Sequence, residues 1–378
     1  MSRQLRIVHC FRAPVGGVFR HVRDLAEAQS AAGHSVGIVC DSTSGGEFQE
    51  RLFADMKDSL ALGIWRTPMQ RHIGPGDLAA AWRTYRLFKR LQPDILHGHG
   101  AKGGFYARLF GSLLRVSRCC VARLYSPHGG SLHYDGTTAA GKLFFGLERS
   151  MERLTDHLLF VSDYERRTWL GKIGPLRASN SVVHNGLRPA EFDPVMEVPC
   201  AADFLFIGEM RDLKGPDLFI DALTRASAAL GRPLTAVMVG DGKDKERCMQ
   251  QAVRLGLADR IAFREAMPAR QAFGLAKTVV VPSRAESMPY IVLEALAACK
   301  PVIATAVGGI PEILGAGSGA LARPELGDLA ARMREAIEDP AAFRDRMPSP
   351  ESLRQRFGIE TMAARVEDAY QAALGPQR

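Results

Sequence analysis

Short apolar runs alternate with amphipathic stretches along the chain, and this alternation occurs twice. Residues 5–11 form a largely apolar run, followed by a glycine-rich turn, a helical stretch to residue 32 and a second apolar run at residues 35–41. Strand, turn, helix and strand in this order make a βαβ unit, which joins parallel strands. The same order restarts with the apolar run at residues 204–208. The pattern therefore predicts two α/β domains, each built on a parallel sheet.

The length of the chain supports this division, because one hydrophobic core rarely extends over 378 residues. We place the first domain at residues 1–190, the second at residues 191–358, and a C-terminal helical segment at residues 359–378. Three prolines mark the linker between the domains: Pro189, Pro194 and Pro199. Residues 44–76, which end in Gly74-Pro75-Gly76, are predicted to be irregular.

The formal net charge of +8 is unevenly distributed, since the first 190 residues hold 26 Lys and Arg but 15 Asp and Glu. A basic first domain suits nucleic acid, an anionic membrane surface or a phosphorylated acceptor. No zinc-finger spacing, RNP-like aromatic run or basic heptad accompanies the charge, so we expect no nucleic-acid partner. The basic amphipathic helix predicted at residues 78–91 is consistent with peripheral contact with anionic lipid, although a solvated face is the simpler interpretation.

Cysteine usage and the N-terminal sequence predict a cytoplasmic protein. The seven cysteines form no C-x-x-C motif, and we expect them to be reduced core residues. The first strand begins within a few residues of Met1 without a signal peptide, and no apolar run approaches about 18 residues. Any membrane association is thus expected to be peripheral, on the cytoplasmic face.

Residues 277–312 carry the densest set of candidate functional residues. A buried strand at residues 278–281 is followed by a break and by an apolar helix whose start is marked by Pro289. Glu286 lies in the break and Glu294 in the helix. The N-terminus of a helix favours an anion, and two carboxylates can accept hydrogen bonds from hydroxyl groups. A sugar nucleotide needs both, for its diphosphate and for its hydroxyls. Alternatively, Glu286 is solvated and Glu294 pairs with a core arginine.

The order of acid, proline-rich break, second acid, Lys-Pro-Val and Gly-Gly-x-Pro-Glu in this stretch resembles the signature of the retaining glycosyltransferases of family 4. The resemblance implies the GT-B fold, in which two Rossmann-like, doubly wound α/β domains face each other across a cleft and the last helix crosses back to the first domain. It implies that Glu286 holds the donor sugar hydroxyls and Glu294 the ribose, with Ser287 and Met288 also at the donor.

The turn after the strand at residues 204–208 contains Arg211 and Lys214. A guanidinium fork and an ammonium beside a helix start are well placed to meet phosphates. In the family that the sequence resembles, an Arg and a Lys of this loop hold the donor diphosphate. The family's Arg commonly follows the Gly directly, whereas Glu209 stands there in this chain. The departure weakens the assignment of Arg211, and solvated loop charges are the alternative.

Three turns of the first domain also carry candidate residues. Gly16 and Gly17 open the first helix, where backbone N–H groups approach a ligand, and His128 follows a strand end. The resemblance places the first turn near the diphosphate and acceptor, and His128 against the donor sugar. The alternatives are a turn that packs helix against strand and a histidine that caps its turn. His97 and His99 point to one side of a strand, but a metal site needs a third ligand and none is near in sequence.

We therefore expect a retaining glycosyltransferase that moves a hexose from a UDP-sugar or GDP-sugar to a hydroxyl of a glycan or lipid-linked acceptor. Glu286 and His128 are the predicted catalytic residues. Exopolysaccharide or lipid-linked glycan synthesis follows from the resemblance of residues 94–109 to exopolysaccharide-type members of the family. No D-x-D motif stands where a donor site needs it, so neither a metal ion nor a cofactor is expected. The alternatives are a sugar-nucleotide 2-epimerase on the same fold and a non-catalytic binding subunit.

Overall fold

A computed structural model describes residues 3–69, 77–117 and 120–375. The chain divides into two compact units, the first made of residues 1–186 and 359–378 and the second of residues 187–358. The strands are β1 (Arg6–Phe11), β2 (Ser35–Asp41), β3 (Gly63–Thr67), β4 (Ile95–His99), β5 (Ala122–Ser126), β6 (His157–Phe160), β7 (Ser179–Val182), β8 (Ala202–Ile207), β9 (Ala236–Val239), β10 (Ile261–Arg264), β11 (Ala276–Val281), β12 (Val302–Thr305) and β13 (Leu321–Ala322).

Within each unit the helices alternate with the strands, as parallel pairing requires, and four helices follow the last strand of the described chain. They are α1 (Gly16–Ala31), α2 (Glu47–Met56), α3 (Asp77–Leu91), α4 (Gly100–Ser117), α5 (Ala139–Met151), α6 (Asp163–Lys172), α7 (Pro216–Leu230), α8 (Lys245–Arg254), α9 (Ala269–Phe273), α10 (Tyr290–Ala297), α11 (Ile310–Leu314), α12 (Leu326–Glu338), α13 (Pro340–Arg344), α14 (Pro350–Phe357) and α15 (Ile359–Leu374). None of the helices in the described part of the chain is long and apolar enough to span a bilayer.

The described residues of the first unit form a seven-stranded parallel sheet in the order β3-β2-β1-β4-β5-β6-β7. All five residues of β4 are buried, as expected for a central strand covered on both faces. Strand order reverses between β1 and β4, where Phe11 lies beside His99 and His99 beside Ser126. Loops that leave neighbouring strands in opposite directions open a crevice at such a point, where ligands bind in open α/β sheets.

The second unit repeats this plan with a six-stranded parallel sheet in the order β10-β9-β8-β11-β12-β13. Its strand order reverses between β8 and β11. Every residue of β11 except Lys277 is buried. The loops that follow β8 and β11 carry Arg211, Lys214 and Glu286, so the sheet topology brings these predicted donor-site residues to one edge.

The helix α15 belongs to the first unit, although it is separated from the rest of that unit in sequence. Its buried positions follow helical spacing and join the same apolar cluster as the inner face of α1. From α15 these are Ile359, Met362, Val366, Ala369 and Tyr370, and from α1 they are Phe19, Val22, Leu25 and Ala26.

The prediction of an irregular segment at residues 44–76 is wrong for its described part. Residues 47–56 form α2, and residues 63–67 form β3, which pairs with β2 from Gly37–Gly63 to Asp41–Thr67. The strand was missed because its formation depends on pairing at a sheet edge rather than on its own composition. Residues 70–76, with Gly74-Pro75-Gly76, lie outside the described residues.

The prediction that the cysteines are core residues holds for three of the six in the described chain. Cys10, Cys40 and Cys248 are buried, and burial raises the pKa of the Cys248 thiol to about 11. The others, Cys120, Cys200 and Cys299, are exposed, which corrects the prediction, and all six are free thiols. Each exposed cysteine has a positive φ angle and lies in a connection between elements, not on the buried face of a helix or strand. Cys119 is outside the described residues.

Candidate functional site

The loop between β8 and α7 positions Lys214 at the carboxyl edge of the second sheet. A short 3₁₀ turn at Asp212–Lys214 ends at Gly215, whose φ of 65° is left-handed. A Cβ at this position would overlap the carbonyl oxygen of Pro282 in the neighbouring loop. Only glycine combines this backbone conformation with so close an approach. The glycine therefore lets the Lys214 loop pack directly on the loop that contains Glu286.

Glu286, which is 9% exposed, joins the two loops through its carboxylate. Its Oε1 accepts a hydrogen bond from Lys214 Nζ at 2.6 Å and another from Ser283 Oγ at 2.7 Å. Neither bond uses Oε2. A charge-assisted bond to an ammonium offsets the cost of holding a carboxylate away from water. The two residues that the sequence predicted for the sugar and the diphosphate thus lie in direct contact, 72 residues apart in sequence.

The turn between β12 and α11 supports the Glu286 loop from the other side. Gly308 has a φ of 61°, and a Cβ there would overlap the backbone carbonyl of Glu286. Gly309 N donates to Ser287 O at 2.9 Å, and Thr305 Oγ1 donates to Ser283 O at 2.5 Å. The Gly-Gly of the sequence signature therefore acts structurally, by letting a neighbouring loop fix the Glu286 backbone.

Arg284 ties the same two loops together at their outer edge. Its backbone N donates to Leu213 O at 2.8 Å, and its guanidinium makes two bonds to the Asp217 carboxylate at 2.9 and 2.7 Å. A bidentate arrangement of this kind fixes geometry as well as charge. Lys214 and Glu286 are consequently held in place by contacts on both sides of the loop pair.

The other predicted donor residues of the second unit lie in the same two loops or on α10. Arg211 Nε is 3.0 Å from a carboxylate oxygen of Glu209, and the Arg211 side chain is 40% exposed. Ser287 is half-buried and Met288 is buried, in the loop that leads to α10. Glu294 lies half-buried on α10, whose other positions are mostly buried. The structure thus brings Lys214 and Glu286 together, whereas Arg211 pairs with Glu209, the residue at which the sequence departs from the family pattern.

In the first unit, the candidate residues follow the strands at the point where strand order reverses. Gly16 and Gly17 are exposed at the start of α1, which has neither a side-chain cap nor an acidic residue in its first turn. His128 follows β5 with a φ of 50°, an uncommon conformation for a residue other than glycine. The backbone N–H groups of α1 are therefore open to an anion, and His128 is held in a defined, strained turn.

His128 belongs to a cluster of five histidines that the sequence analysis did not foresee. Two come from β4 (His97 and His99), one from β1 (His9) and one from α1 (His21). Their ring centroids lie between 4.0 Å (His97 and His99) and 5.6 Å (His21 and His99) apart in neighbouring pairs. No third ligand for a metal ion stands near His97 and His99 in sequence. In three dimensions the sheet and α1 supply three further imidazoles.

Hydrogen bonds connect His128, His99 and His9 in a row, and each of them donates to the next residue toward Gln29. Gln29 Oε1 accepts from His9 Nε2 at 2.8 Å, so His9 Nδ1 is the acceptor for His99 Nε2 at 3.0 Å. His99 Nδ1 then accepts from His128 Nε2 at 3.0 Å. The Gln29 amide is oriented by its own bond from Nε2 to Tyr370 Oη at 3.1 Å. A residue of α15 therefore helps set the tautomers of the histidines.

Burial favours the neutral form of these histidines, because it disfavours a charged imidazolium. Burial lowers the pKa of His9 and of His21 to about 4, although hydrogen bonds to Gln29 and Asn185 work in the opposite direction. Burial also lowers the pKa values of His97, His99 and His128 well below the usual range, and the neighbouring imidazoles lower them further.

Two buried carboxylates fix the turn that carries His128. Glu165 accepts from the backbone N of Gly129 and of Val161, and burial raises its pKa to about 7. Glu148 accepts from Ser131 Oγ at 2.9 Å. Sequence reasoning did not single out either glutamate, because each lies in an ordinary amphipathic helix and acts through a turn distant in sequence. Ser283, Gly215 and Gly308 were missed for the same reason, although Gly308 belongs to the recognised Gly-Gly.

Comparison with known protein families matches both halves of the chain to glycosyltransferases. Residues 199–356 match the family described as glycosyl transferases group 1, and residues 15–191 match the family described as glycosyltransferase family 4. The second unit, with Lys214 and Glu286, lies largely within the first match. The first match ends before α15, and the second begins just before α1.

Individual relatives agree with the family matches. The chain is 25% identical to a glycogen synthase of Mycobacterium tuberculosis over 96% of this chain and 93% of the relative. It is 30% identical to a D-inositol 3-phosphate glycosyltransferase of Streptomyces avermitilis over 75% of this chain and 66% of the relative. Among solved structures, HepE of Anabaena in complex with UDP is similar with a TM-score of 0.74, at 18% identity and over 96% of this chain and 98% of HepE. With two α/β units on parallel sheets, the chain belongs to the family 4 glycosyltransferases of the GT-B fold.

Proposed function

We propose that this glycosyltransferase transfers a hexose, with retention of configuration, from a UDP-sugar or GDP-sugar to a hydroxyl group of a glycan or lipid-linked acceptor. The observation that carries the proposal is the hydrogen bond from Lys214 to Glu286. The two residues lie in the loops after β8 and β11, the neighbouring strands between which the strand order of the second sheet reverses. A cation for the leaving diphosphate and a carboxylate for the sugar are thereby held side by side.

The reaction requires stabilisation of negative charge on the departing diphosphate while positive charge grows on the sugar ring. Lys214 supplies a point charge for the phosphates and is 26% exposed, so that a ligand can reach it. The first turn of α10 contains no acidic residue and no side-chain cap, which favours an anion at that helix terminus. Cations and helix N-termini provide this stabilisation without a divalent ion or a cofactor.

Glu286 is assigned to the sugar because only one of its two carboxylate oxygens accepts hydrogen bonds from Lys214 and Ser283. Lys214 and Ser283 both bind Oε1, and Oε2 remains for a donor sugar hydroxyl. Glu294 is assigned to the ribose, with Ser287 and Met288 at the donor between the two acids. Arg211 is a weaker candidate for the phosphates, since Glu209 already accompanies it.

The acceptor is assigned to the first unit, with Gly16, Gly17 and His128 as its candidate residues. Gly16 and Gly17 offer uncapped N–H groups, and His128 Nδ1 is the acceptor at the open end of the hydrogen-bonded histidine chain. A neutral imidazole in this tautomer accepts a hydrogen bond from a hydroxyl group, which suits contact with a sugar. A sugar-nucleotide 2-epimerase is not favoured, since the matching families and relatives are transferases. A non-catalytic binding subunit is disfavoured by the intact contacts of Glu286.

Donor binding is the direct test of the proposal. Either UDP or GDP is expected to stabilise the chain against heat without added metal, by about 2.7 kcal/mol at 100 times its dissociation constant. The Glu294→Ala variant is expected to lose most of this stabilisation, because the ribose loses its acceptor. The matched control is Glu338→Ala, which removes a half-exposed carboxylate of α12 in the same unit. A chain that no nucleoside diphosphate stabilises would be inconsistent with the donor site. The anomeric configuration of the product, read by NMR, then tests retention.

The basic face of α3 supports a lipid-linked acceptor on an anionic membrane surface. Leu78 and Trp82 are 83% and 60% exposed, and Arg83 and Arg86 are exposed beside them. Apolar and cationic side chains on one face are typical of interfacial helices. The chain is expected to co-sediment with vesicles of anionic phospholipid at low salt, less so at high salt, and not with neutral vesicles. The Trp82→Ser/Arg86→Ser variant should lose binding; unchanged co-sedimentation of this variant would exclude α3 as the contact.

A further inference from the structure

Three of the clustered histidines approach one another as metal ligands do. One ring nitrogen from each of His21, His99 and His128 lies within 4.8 Å of the corresponding nitrogen of the other two. The three side chains come from α1, the end of β4 and the turn after β5, which are rigid neighbours at the reversal point of the first sheet. Three imidazoles are a common ligand set for zinc.

In two of these histidines, one ring nitrogen donates a hydrogen bond to a residue outside the group of three. The other ring nitrogen, here called the inner nitrogen, therefore carries a lone pair. Asn185 Oδ1 accepts from His21 Nδ1 at 3.0 Å, which leaves Nε2 as the inner nitrogen. His99 Nε2 donates to His9 Nδ1, which is itself fixed by Gln29, and this leaves His99 Nδ1 as the inner nitrogen. Metal-bound histidines almost always donate their second N–H to a neighbouring acceptor, which orients the ring.

The third histidine completes the arrangement. His128 Nε2 lies 3.0 Å from His99 Nδ1, and its ring centroid lies 4.7 Å from that of His21. His128 is half-buried, whereas His21 and His99 are fully buried. Its proton at Nε2 occupies the space between the rings, and moving that proton to Nδ1 leaves a third lone pair directed inward.

We propose that His21, His99 and His128 form a binding site for a divalent transition-metal ion of the zinc class, with a fourth position open on the side of His128. His21 Nε2 and His99 Nδ1 carry lone pairs in this hydrogen-bond pattern, as ligation requires. Imidazole nitrogens without a carboxylate select zinc, copper or nickel over magnesium and calcium. The proposal depends only on residues of the first unit, but it shares His128 with the proposed acceptor site, so a metal ion on His128 Nε2 and a sugar hydroxyl that donates to His128 Nδ1 are alternatives.

The second group of three histidines, His9, His97 and His99, is a poorer site. Both nitrogens of His97 are engaged, Nδ1 with Tyr370 Oη and Nε2 with Ser126 Oγ, each at 2.9 Å. A metal there would have to break one of these buried hydrogen bonds. His9 instead serves the proposed site from outside, by fixing the tautomer of His99.

The test is metal binding by the full chain after treatment with a chelator. Zn²⁺ is expected to bind at one ion per chain in competition with a chromophoric chelator, and Co²⁺ to show the visible absorption bands of a four- or five-coordinate ion. Both signals should be lost in His99→Gln and in His21→Gln, and kept in His133→Gln, which replaces an exposed histidine outside the cluster. Equal loss in His133→Gln, or fewer than one ion per wild-type chain, would refute the site.

A pair of variants at Asn185 keeps the proposal testable if a histidine variant fails to fold. Asn185→Leu removes the acceptor of His21 Nδ1–H and is expected to weaken Zn²⁺ binding by about 10- to 100-fold. Asn185→Asp supplies a stronger acceptor and is expected to tighten binding above that of the wild type. Equal Zn²⁺ affinity in the two variants would show that His21 is not a ligand. Retained stabilisation by the nucleoside diphosphate in both variants would show that the donor site is unaffected.

Discussion

Replacing Glu286 by Gln is expected to lower turnover by about 10²- to 10³-fold while leaving nucleotide binding intact. Glutamine keeps an oxygen that accepts from Lys214 and Ser283, so the two loops should remain joined. In the proposed donor site, however, this substitution removes the negative charge assigned to the sugar, and with it the expected stabilisation of the positive charge that grows in the transition state. Lys214 also loses its ionic partner, so the diphosphate should bind as tightly as before or more tightly.

Turnover is measured as the release of nucleoside diphosphate from its sugar conjugate, with water as acceptor until the natural acceptor is known. Nucleotide affinity is measured in parallel by thermal stabilisation. Glu338→Gln, the same substitution on a half-exposed carboxylate, should behave as the wild type. Near-wild-type turnover of Glu286→Gln would remove Glu286 from the reaction. A loss of affinity equal to the loss of turnover would assign it to ground-state binding instead.

Replacing Arg108 by Met is expected to destabilise the protein by about 3–5 kcal/mol. Arg108 is 1% exposed on α4, and its guanidinium lies 2.8 Å from Glu148 Oε2 and 3.9 Å from the ring centre of Tyr125. Glu148 also accepts from Tyr125 Oη and Ser131 Oγ, which are neutral donors. Removing the arginine therefore leaves a buried carboxylate without a counter-ion, below the turn that carries His128.

The double variant Arg108→Met/Glu148→Gln separates charge from packing. The introduced side-chain amide still accepts from Tyr125 and Ser131 but carries no charge, so most of the lost stability should return. A third variant, Arg166→Met, breaks an ion pair with Asp163 that is 44% exposed at both ends and should cost less than about 1 kcal/mol. Urea unfolding gives all three free energies. Equal destabilisation by the single and double variants would mean that lost packing, not the buried charge, causes the effect.

Local spacing was sufficient to predict the strand, break and helix around Glu286, because each boundary is marked by residues within the same stretch. The strand β11 ends at Val281, before Pro282-Ser283, and α10 begins at Tyr290, one residue after Pro289. Two α/β units with parallel sheets were predicted for the same reason. The family signature then indicated which acids to consider.

Contacts between distant segments could not be predicted, because they depend on strand order. Lys214 meets Glu286 because β8 and β11 are neighbours, and His9 meets His99 because β1 and β4 are neighbours. No local pattern states either adjacency. The edge strand β3 was missed on the same grounds, since its residues are only half-buried and lack a clear alternation.

The first unit is discontinuous, and this determines the order in which a ribosome can complete the protein. Residues 187–358 are synthesised between its main part and α15. At about 5 to 20 residues per second, their synthesis takes roughly 10 to 30 s. During that interval the nascent first unit lacks the helix that covers Val22, Leu25 and Ala26, whereas the contiguous second unit is free to fold. A chain stalled before residue 359 therefore exposes an apolar strip, which makes it a substrate for chaperones and proteases rather than a shorter functional protein.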